Sequence, residues 1–468
     1  RWSWLLCKQA LSYQIQESNQ PTKEVELMNK EEILKVHTLY DNNKSQWQYY
    51  LDSYMGGAQY KTGKYLTQYL AETDDEYNAR IKSTPCDNHC KNIVQIYNSF
   101  IWRTPPQREL VDTPEVESFI RDAGLDGQSL NQVLRDATVW SSVFGHCWVM
   151  IDKPLVEVET RAEEMDLEIR PYLTVITPNN ILDWRFERTV NGRYMLTYLK
   201  VMEDAETVRI WTRDEILVYK VDGKEAKLES TIANNLKEIP LVPLYSSRGL
   251  QRGVGISDIA DVADYQKAIY SELSEIEQLI RISNHPTLVK TASADASAGA
   301  GGVIDIDDDS DGGLKPYLLQ PNAASLSGVM QSISEKVEAI NRITHMGSVR
   351  ATEKQAKSGV ALQTEFQLLN TKLSEKASAL ENLEEQIWRL FYKMQGYNDK
   401  AIIKYPDSFD IRDNSADLLH LQQVKASGIN SESLSKIIDK QIAQMVVEEQ
   451  EQRQVFEEID AGVSFEAE

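Results

Sequence analysis

The longest regular pattern in the chain runs from Val360 to Gln395. Apolar residues fall at Leu362, Phe366, Leu369, Leu373, Leu380, Leu383, Ile387, Leu390 and Met394, in steps of four and three that only Lys376 interrupts. That spacing lays one apolar stripe along an α-helix, which at 1.5 Å per residue is roughly 50 Å long. Gly396 is placed to close it. Helices beyond about 25 residues usually pack against other long helices or neighbouring subunits. The pattern therefore argues against a compact enzyme core.

The other elements fit around this helix. At 468 residues the chain is about three typical domains long. Residues 28 to 150 read as mainly helical, with helices expected over Glu31 to Tyr40 and Glu76 to Ile101 and a break at Thr104-Pro-Pro106. Ala137 to Ile151 is uncharged but too short to cross a bilayer, and reads as a buried core segment. From Leu155 to Tyr245 the period changes to two. Arg193 to Val201, Thr207 to Thr212 and Glu215 to Val221 read as strands, punctuated by Asn191-Gly192 and Asp222-Gly223. Ser257 and Asp258 are then placed to cap a helix running to about Ser283, and Pro286 ends it. A low-complexity stretch, Ala292 to Gly302, leads to Val303-Ile304 and the acidic cluster Asp305 to Asp311. A returning helix is expected from Ser325 to Thr344, and two more over Ser415 to Ala426 and Ser431 to Glu458, the last in an acidic tail. The fold class is α+β, mainly α, with an inserted antiparallel β region.

Charge and motifs exclude more than they assign. Lys and Arg total 50 against 72 Asp and Glu, a net charge of −22, so bulk electrostatics cannot hold nucleic acid tightly. Four cysteines in so long a chain do not make a disulfide scaffold and suit a reducing, cytoplasmic site of synthesis. The start, RWSWLL, is too short for a secretory core and reads as an N-terminal arm. Gly57 to Tyr65 has the wrong spacing for a Walker loop and puts Tyr65 where the metal-binding hydroxyl belongs. In Gly253-Val-Gly255 the third glycine of a dinucleotide fingerprint is replaced by Asp258. Cys86, His89 and Cys90 share one helical face and could meet His146-Cys147. A structural zinc site usually pairs two short ligand knuckles, so a buried thiol pair with a surface histidine is the favoured reading. Asp307, Asp309 and Asp311 imitate half a calcium loop, but Leu318 stands where the bidentate Glu is required. No catalytic residue, metal or cofactor is assigned.

The element order resembles that of the tailed-phage portal (head-to-tail connector) proteins. Gly253-Val-Gly-Ile-Ser257 leads into a helix resembling the first stem helix. His285-Pro-Thr-Leu-Val289 and Gly302-Val-Ile-Asp-Ile306, with Lys315-Pro316, resemble the strands of a clip module. Ser358-Gly-Val-Ala-Leu362 is similar to the junction between tunnel loop and wing helix. The resemblance spans about Met28 to Gly462. It implies an arm (1–27), a wing (28–253), a first stem helix (254–287), a clip (288–322), a second stem helix (323–345), a tunnel loop (346–358), a long wing helix (359–398), and a crown with acidic tail (399–468).

It further implies a virion protein, assembled in the host cytoplasm, that forms a closed ring of about twelve copies at one capsid vertex. Its partners would be itself, the major capsid protein, the terminase large subunit, the head–tail adaptor, and double-stranded DNA passing through the channel, with no membrane. On that reading Arg350, Lys354 and Lys357 are the candidate DNA contacts in the tunnel loop. Asp305, Asp307, Asp308, Asp309, Asp311 and Lys315 are the candidate terminase- or adaptor-facing clip residues. The alternative is a coiled-coil scaffold without a DNA role, using Leu362 to Met394 as its oligomer seam.

Overall fold

The computed structural model describes residues 27–154, 167, 169–222, 225–294, 302–307, 316–319, 323–347, 349–350 and 359–409, with shorter pieces at 421, 423–424, 432–446, 455–456 and 458–459. The chain divides into two compact units, one up to Asp407 and one from Ser408 onward. The second contains the helix Glu432–Val446. Helix predominates over strand among the described residues.

The first unit opens with α1 (Lys30–Ile33), α2 (Thr38–Met55), α3 (Gly57–Tyr60), α4 (Asp74–Ser83) and α5 (His89–Ile101). The single helix expected over Glu76 to Ile101 is thus two. Pro85 has no backbone donor and holds Thr84 extended (ψ 124°), so the helical ladder stops there. A Thr73/Glu76 capping box starts α4. Asn88 restarts the chain as α5, its side chain accepting from Lys91 N at 2.7 Å.

After α6 (Pro114–Arg121), α7 (Leu130–Phe144) runs directly into a strand, β3 (His146–Asp152). The uncharged segment Ala137 to Ile151 is therefore half helix and half strand. Gly145 makes the switch, with φ +87° and its Cα close against another segment. A Cβ there would lie 2.6 Å from backbone atoms of Gly255 and Ile256. β3 is the middle of an antiparallel sheet between β10 (Leu241–Tyr245) and β4 (Tyr172–Ile176). Around it Trp148, Trp184, Leu199 and Trp211 form a core with the second, six-stranded sheet.

That larger sheet is antiparallel throughout, in the order β1-β9-β8-β7-β6-β5. Its strands are β1 (Leu27–Asn29), β5 (Ile181–Arg188), β6 (Tyr194–Met202), β7 (Thr207–Thr212), β8 (Glu215–Asp222) and β9 (Glu225–Ala233). Asn191-Gly192 does lie in the turn joining β5 to β6, but only Gly192 has positive φ (+77°), and Thr189 N donates to Arg193 O at 2.8 Å across a loop longer than the two-residue turn expected. A register shift between Arg185 and Phe186 marks a bulge in this pair.

Past a two-stranded ribbon of β11 (Ser247–Arg248) and β12 (Gly255–Ile256), the chain leaves along α8 (Ala260–Asn284) and forms a three-stranded sheet from β13 (Thr287–Thr291), β14 (Val303–Ile306) and β15 (Tyr317–Leu319). It returns along α9 (Ala323–Ile343). Both roots sit on α5: Gln266 Oε1 accepts from Cys90 N at 2.9 Å, and Tyr97 Oη donates to Thr344 O at 2.8 Å.

The long helix, α10 (Gly359–Gln395), spans 37 residues and ends at Gly396 with φ +78°. Leu369, Leu373, Leu380, Leu383, Ile387 and Leu390 are all buried within this one chain, against β10, β3, α5 and β16 (Ile402–Lys404). They are core residues, so the seam required by the coiled-coil scaffold is already used up. On the same helix Glu384 is fully buried. Its carboxylate accepts from Arg108 Nε at 2.5 Å, Trp388 Nε1 at 3.1 Å and Tyr405 Oη at 2.7 Å, which satisfies a charge that could not otherwise be interior.

His146 is enclosed by Trp47, Trp148 and Tyr245, and its Nδ1 accepts from Gly255 N at 3.2 Å. Burial pulls its pKa from 6.5 to about 3, only partly opposed by a backbone contact at Phe144. The stability this neutral imidazole contributes is complete above pH 6.5 and is lost as pH falls toward 3. Denaturant unfolding at pH 7, 6 and 5 should show His146→Asn with a flatter pH slope than wild type, by up to about 1.4 kcal/mol per pH unit. Equal slopes would contradict the assignment.

Candidate functional site

Helix α8, the end of α9 and helix α10 all meet α5, and a buried polar node joins α10 to the segment before α8. Helix α8 begins after Ile259 with no side-chain cap, so Ser257 and Asp258 do not play the capping role their position suggests. Ser257 Oγ instead donates to Val143 O at 2.6 Å, tying the segment to α7. Asp258 turns inward. Its carboxylate lies 2.5 Å from Lys376 Nζ and 3.2 Å from Lys372 Nζ, and accepts from Ser246 Oγ at 2.8 Å. Lys376 also donates to Ser142 Oγ at 3.0 Å and Ser246 Oγ at 2.6 Å, so its three protons all have acceptors. The one charge that interrupts the apolar stripe of α10 is therefore the partner of a buried acid.

Burial alone would raise the Asp258 pKa, but the two ammonium groups overcome it and hold the value at about 2. Burial draws Lys376 below the ordinary lysine range, with Asp258 opposing. Lys372 is also 4.9 Å from the ring centroid of Tyr97, whose burial pushes its pKa up to about 12.

Beyond α9, His345 adopts φ +57° and Met346, fully buried, donates its N–H to Asn341 O at 2.9 Å. The chain then reaches Arg350, whose Nη2 lies 2.8 Å from His89 Nδ1. A guanidinium only donates, so Nδ1 is the acceptor and His89 carries its proton on Nε2, 3.2 Å from Asp87 Oδ2. Arg350 thus lies against the first turn of α5. Lys354 and Lys357 lie outside the described residues.

Cys90 and His89 are buried, and burial pushes the Cys90 and Cys147 thiols well above their usual range. His89 faces Arg350 and Asp87, so it is not the surface histidine expected. Among the described residues no group of three or more His, Cys, Asp or Glu could hold a metal ion.

In the small sheet, β13 pairs in parallel with β14 and antiparallel with β15, and Lys290 stands opposite Asp305. Their Nζ and Oδ1 are 3.6 Å apart, and Lys290 Nζ donates to Ala294 O at 2.9 Å. Asp305 is therefore partly neutralised, whereas Asp307 is exposed. Asp308, Asp309, Asp311 and Lys315 lie outside the described residues. Lys290 escaped the sequence reading because its role depends on strand register.

Similar solved structures include a chain from the neck of an empty GTA particle computed with C6 symmetry (10% identity, TM-score 0.46), covering 82% of this chain and 98% of that one. Another comes from the virion of a native gene transfer agent (GTA) particle (10% identity, TM-score 0.44), covering 84% of this chain and 98% of that one. Comparison with curated protein sequences gives no match. The family described as "Phage portal protein, SPP1 Gp6-like" matches residues 20–461, and the chain belongs to that family. Its role is that of a portal, and portal proteins as a family are structural and non-enzymatic. The match begins inside the segment expected to be a separate arm.

Removing the central carboxylate should be severe. Asp258→Ala leaves Lys376 and Lys372 facing each other without a counter-charge, and is expected to cost about 3–5 kcal/mol in urea unfolding. Adding Lys376→Met should recover part of that loss. A single variant within about 0.5 kcal/mol of wild type would show the node to be energetically idle.

Proposed function

We propose that about twelve copies of the chain close into a ring at one capsid vertex and form the channel through which double-stranded DNA enters and leaves the virion. The observation that carries this reading is the rooting of segment 346–358. Gln266 of α8, Thr344 after α9 and Lys372 of α10 all meet α5, and Asp258 before α8 is paired with Lys376 of α10, so the elements on either side of the segment share a fixed base. A segment that contacts moving DNA needs such a base, because force applied to it must not unpack the subunit.

Acidity supports passage over capture. Twelve copies at −22 carry about −260 charges, which repels the phosphate backbone and keeps DNA centred and sliding. Lys354 and Lys357 supply weak, transient contacts. Arg350, held against His89, sets where that segment begins and so has less reach toward DNA. The β13–β15 module, with Asp305, Asp307, Asp308, Asp309, Asp311 and Lys315, is the docking platform for the terminase large subunit and the head–tail adaptor. The major capsid protein surrounds the ring in the virion, after assembly in the host cytoplasm. Packaging energy comes from the terminase, and no chemistry is assigned to this chain.

Particle imaging with mass measurement tests the ring. Copies of 53.3 kDa predict about 0.6 MDa for twelve, and a dimer or trimer would overturn the proposal. Lys354→Ala with Lys357→Ala should leave rings intact and alter packaging or DNA retention; normal virions would remove the DNA-contact role. Neutralising the five aspartates should weaken binding to terminase or adaptor, and unchanged binding to both would sink the docking assignment.

A further inference from the structure

An acidic chain that self-assembles must overcome repulsion between like-charged copies, so its self-contacts need local cations. One surface supplies them. At the β5–β6 hairpin, Tyr194 lies under two guanidinium groups, with Arg252 Cζ 3.6 Å and Arg188 Cζ 4.9 Å from its ring centroid. These two arginines hold its hydroxyl below the ordinary tyrosine range. Arg248 Cζ lies 5.8 Å from the neighbouring Tyr245 ring, and Tyr245 Oη accepts from Gly253 N at 3.0 Å, which anchors the turn that presents Arg252. Among the described residues none of these three arginines forms an ion pair with a carboxylate.

The same surface carries two fully exposed apolar residues, Leu250 at 103% and Val190 at 105% relative exposure, in the turns that bear Arg252 and Arg188. This composition decides between partners. Phosphates would reward the arginines but leave Leu250 and Val190 without a use. A protein surface rewards both, because arginine and tyrosine around apolar anchors are what interface centres are made of. A neighbouring copy supplies a protein surface of opposite sign, since each chain carries −22.

We infer that Arg188, Tyr194, Arg248 and Arg252, with Val190 and Leu250, form one half of the contact between neighbouring copies, seated on an acidic face of the next copy. The contact is heterologous, a cationic patch meeting a different, anionic one, as closure into a ring requires. This inference rests on the ring reading above.

The test uses the full chain. A photo-crosslinking amino acid at position 250 should give an adduct of twice the chain mass in wild-type assemblies. Arg188→Glu with Arg252→Glu should abolish that adduct and shift the native mass to small species at 150 mM salt, with circular dichroism and thermal midpoint of the subunit unchanged. Wild-type rings that give no such adduct, or variant rings with wild-type mass and salt resistance, overturn the inference while leaving the ring intact. Variant rings of normal mass that fail only in DNA retention or capsid incorporation also overturn it. A wild-type chain that never exceeds a small oligomer overturns the ring reading itself. If the double variant misfolds, Leu250→Asp alone supplies the same mass readout.

Discussion

Asp258 and Lys376 form the contact on which the rest of the first unit is organised. A carboxylate and an ammonium removed from water cost several kcal/mol each in lost hydration, and only a near-complete set of partners offsets that. Here the set is assembled from four directions: Ser142 at the end of α7, Ser246 after β10, Asp258 before α8, and Lys372 and Lys376 from α10. Each member is useless without the others. The node therefore specifies where the helices meet more sharply than apolar packing, which tolerates sliding by a methyl group or two.

Around it the same solution recurs. Glu384 is interior because Arg108, Trp388 and Tyr405 converge on it. Arg80 is interior because Glu72 meets it with both oxygens, at 2.6 and 2.7 Å, while Ser274 and Thr67 O take two more of its five donors. Two partnered charges thus join α10 to the short β2 (Gln107–Glu109) and its partner β16, and α4 to α8. A core built this way is demanding to assemble and resists shear once formed.

Much of the architecture was legible in the chain, for identifiable reasons. The α10 stripe, the Asn191-Gly192 turn and the strand runs of β6 to β8 carry their periods locally, so neighbouring residues sufficed. The strand at Val303–Ile306 was expected only through the resemblance to a clip module, because four residues carry too little pattern of their own. Other features depended on distant partners. Lys376 looked like a flaw in a stripe until Asp258 lay beside it. Ala137 to Ile151 is an apolar run that suits helix and strand equally, and only the close approach of Gly255 to Gly145 settles the switch. Pro85 was legible, and the helical spacing on either side of it masked the break. The arginine surface is spread over positions 188, 248 and 252, and no linear window contains it.

The burial along α8 is uneven, and that has a mechanical meaning. Val262, Ala263, Gln266, Ile269, Tyr270 and Ser274 are its buried residues, all within its first fifteen. Arg80, bonded to Ser274, is the last clamp. Just before it α9 braces α8, through Ser332 and Lys336 on Glu272, and beyond it Ile280 and Ile282 are exposed. The helix pair is a cantilever fixed at one end. Load on the β13–β15 tip therefore reaches the body of the subunit through the buried first fifteen residues of α8 and the contact that roots the end of α9.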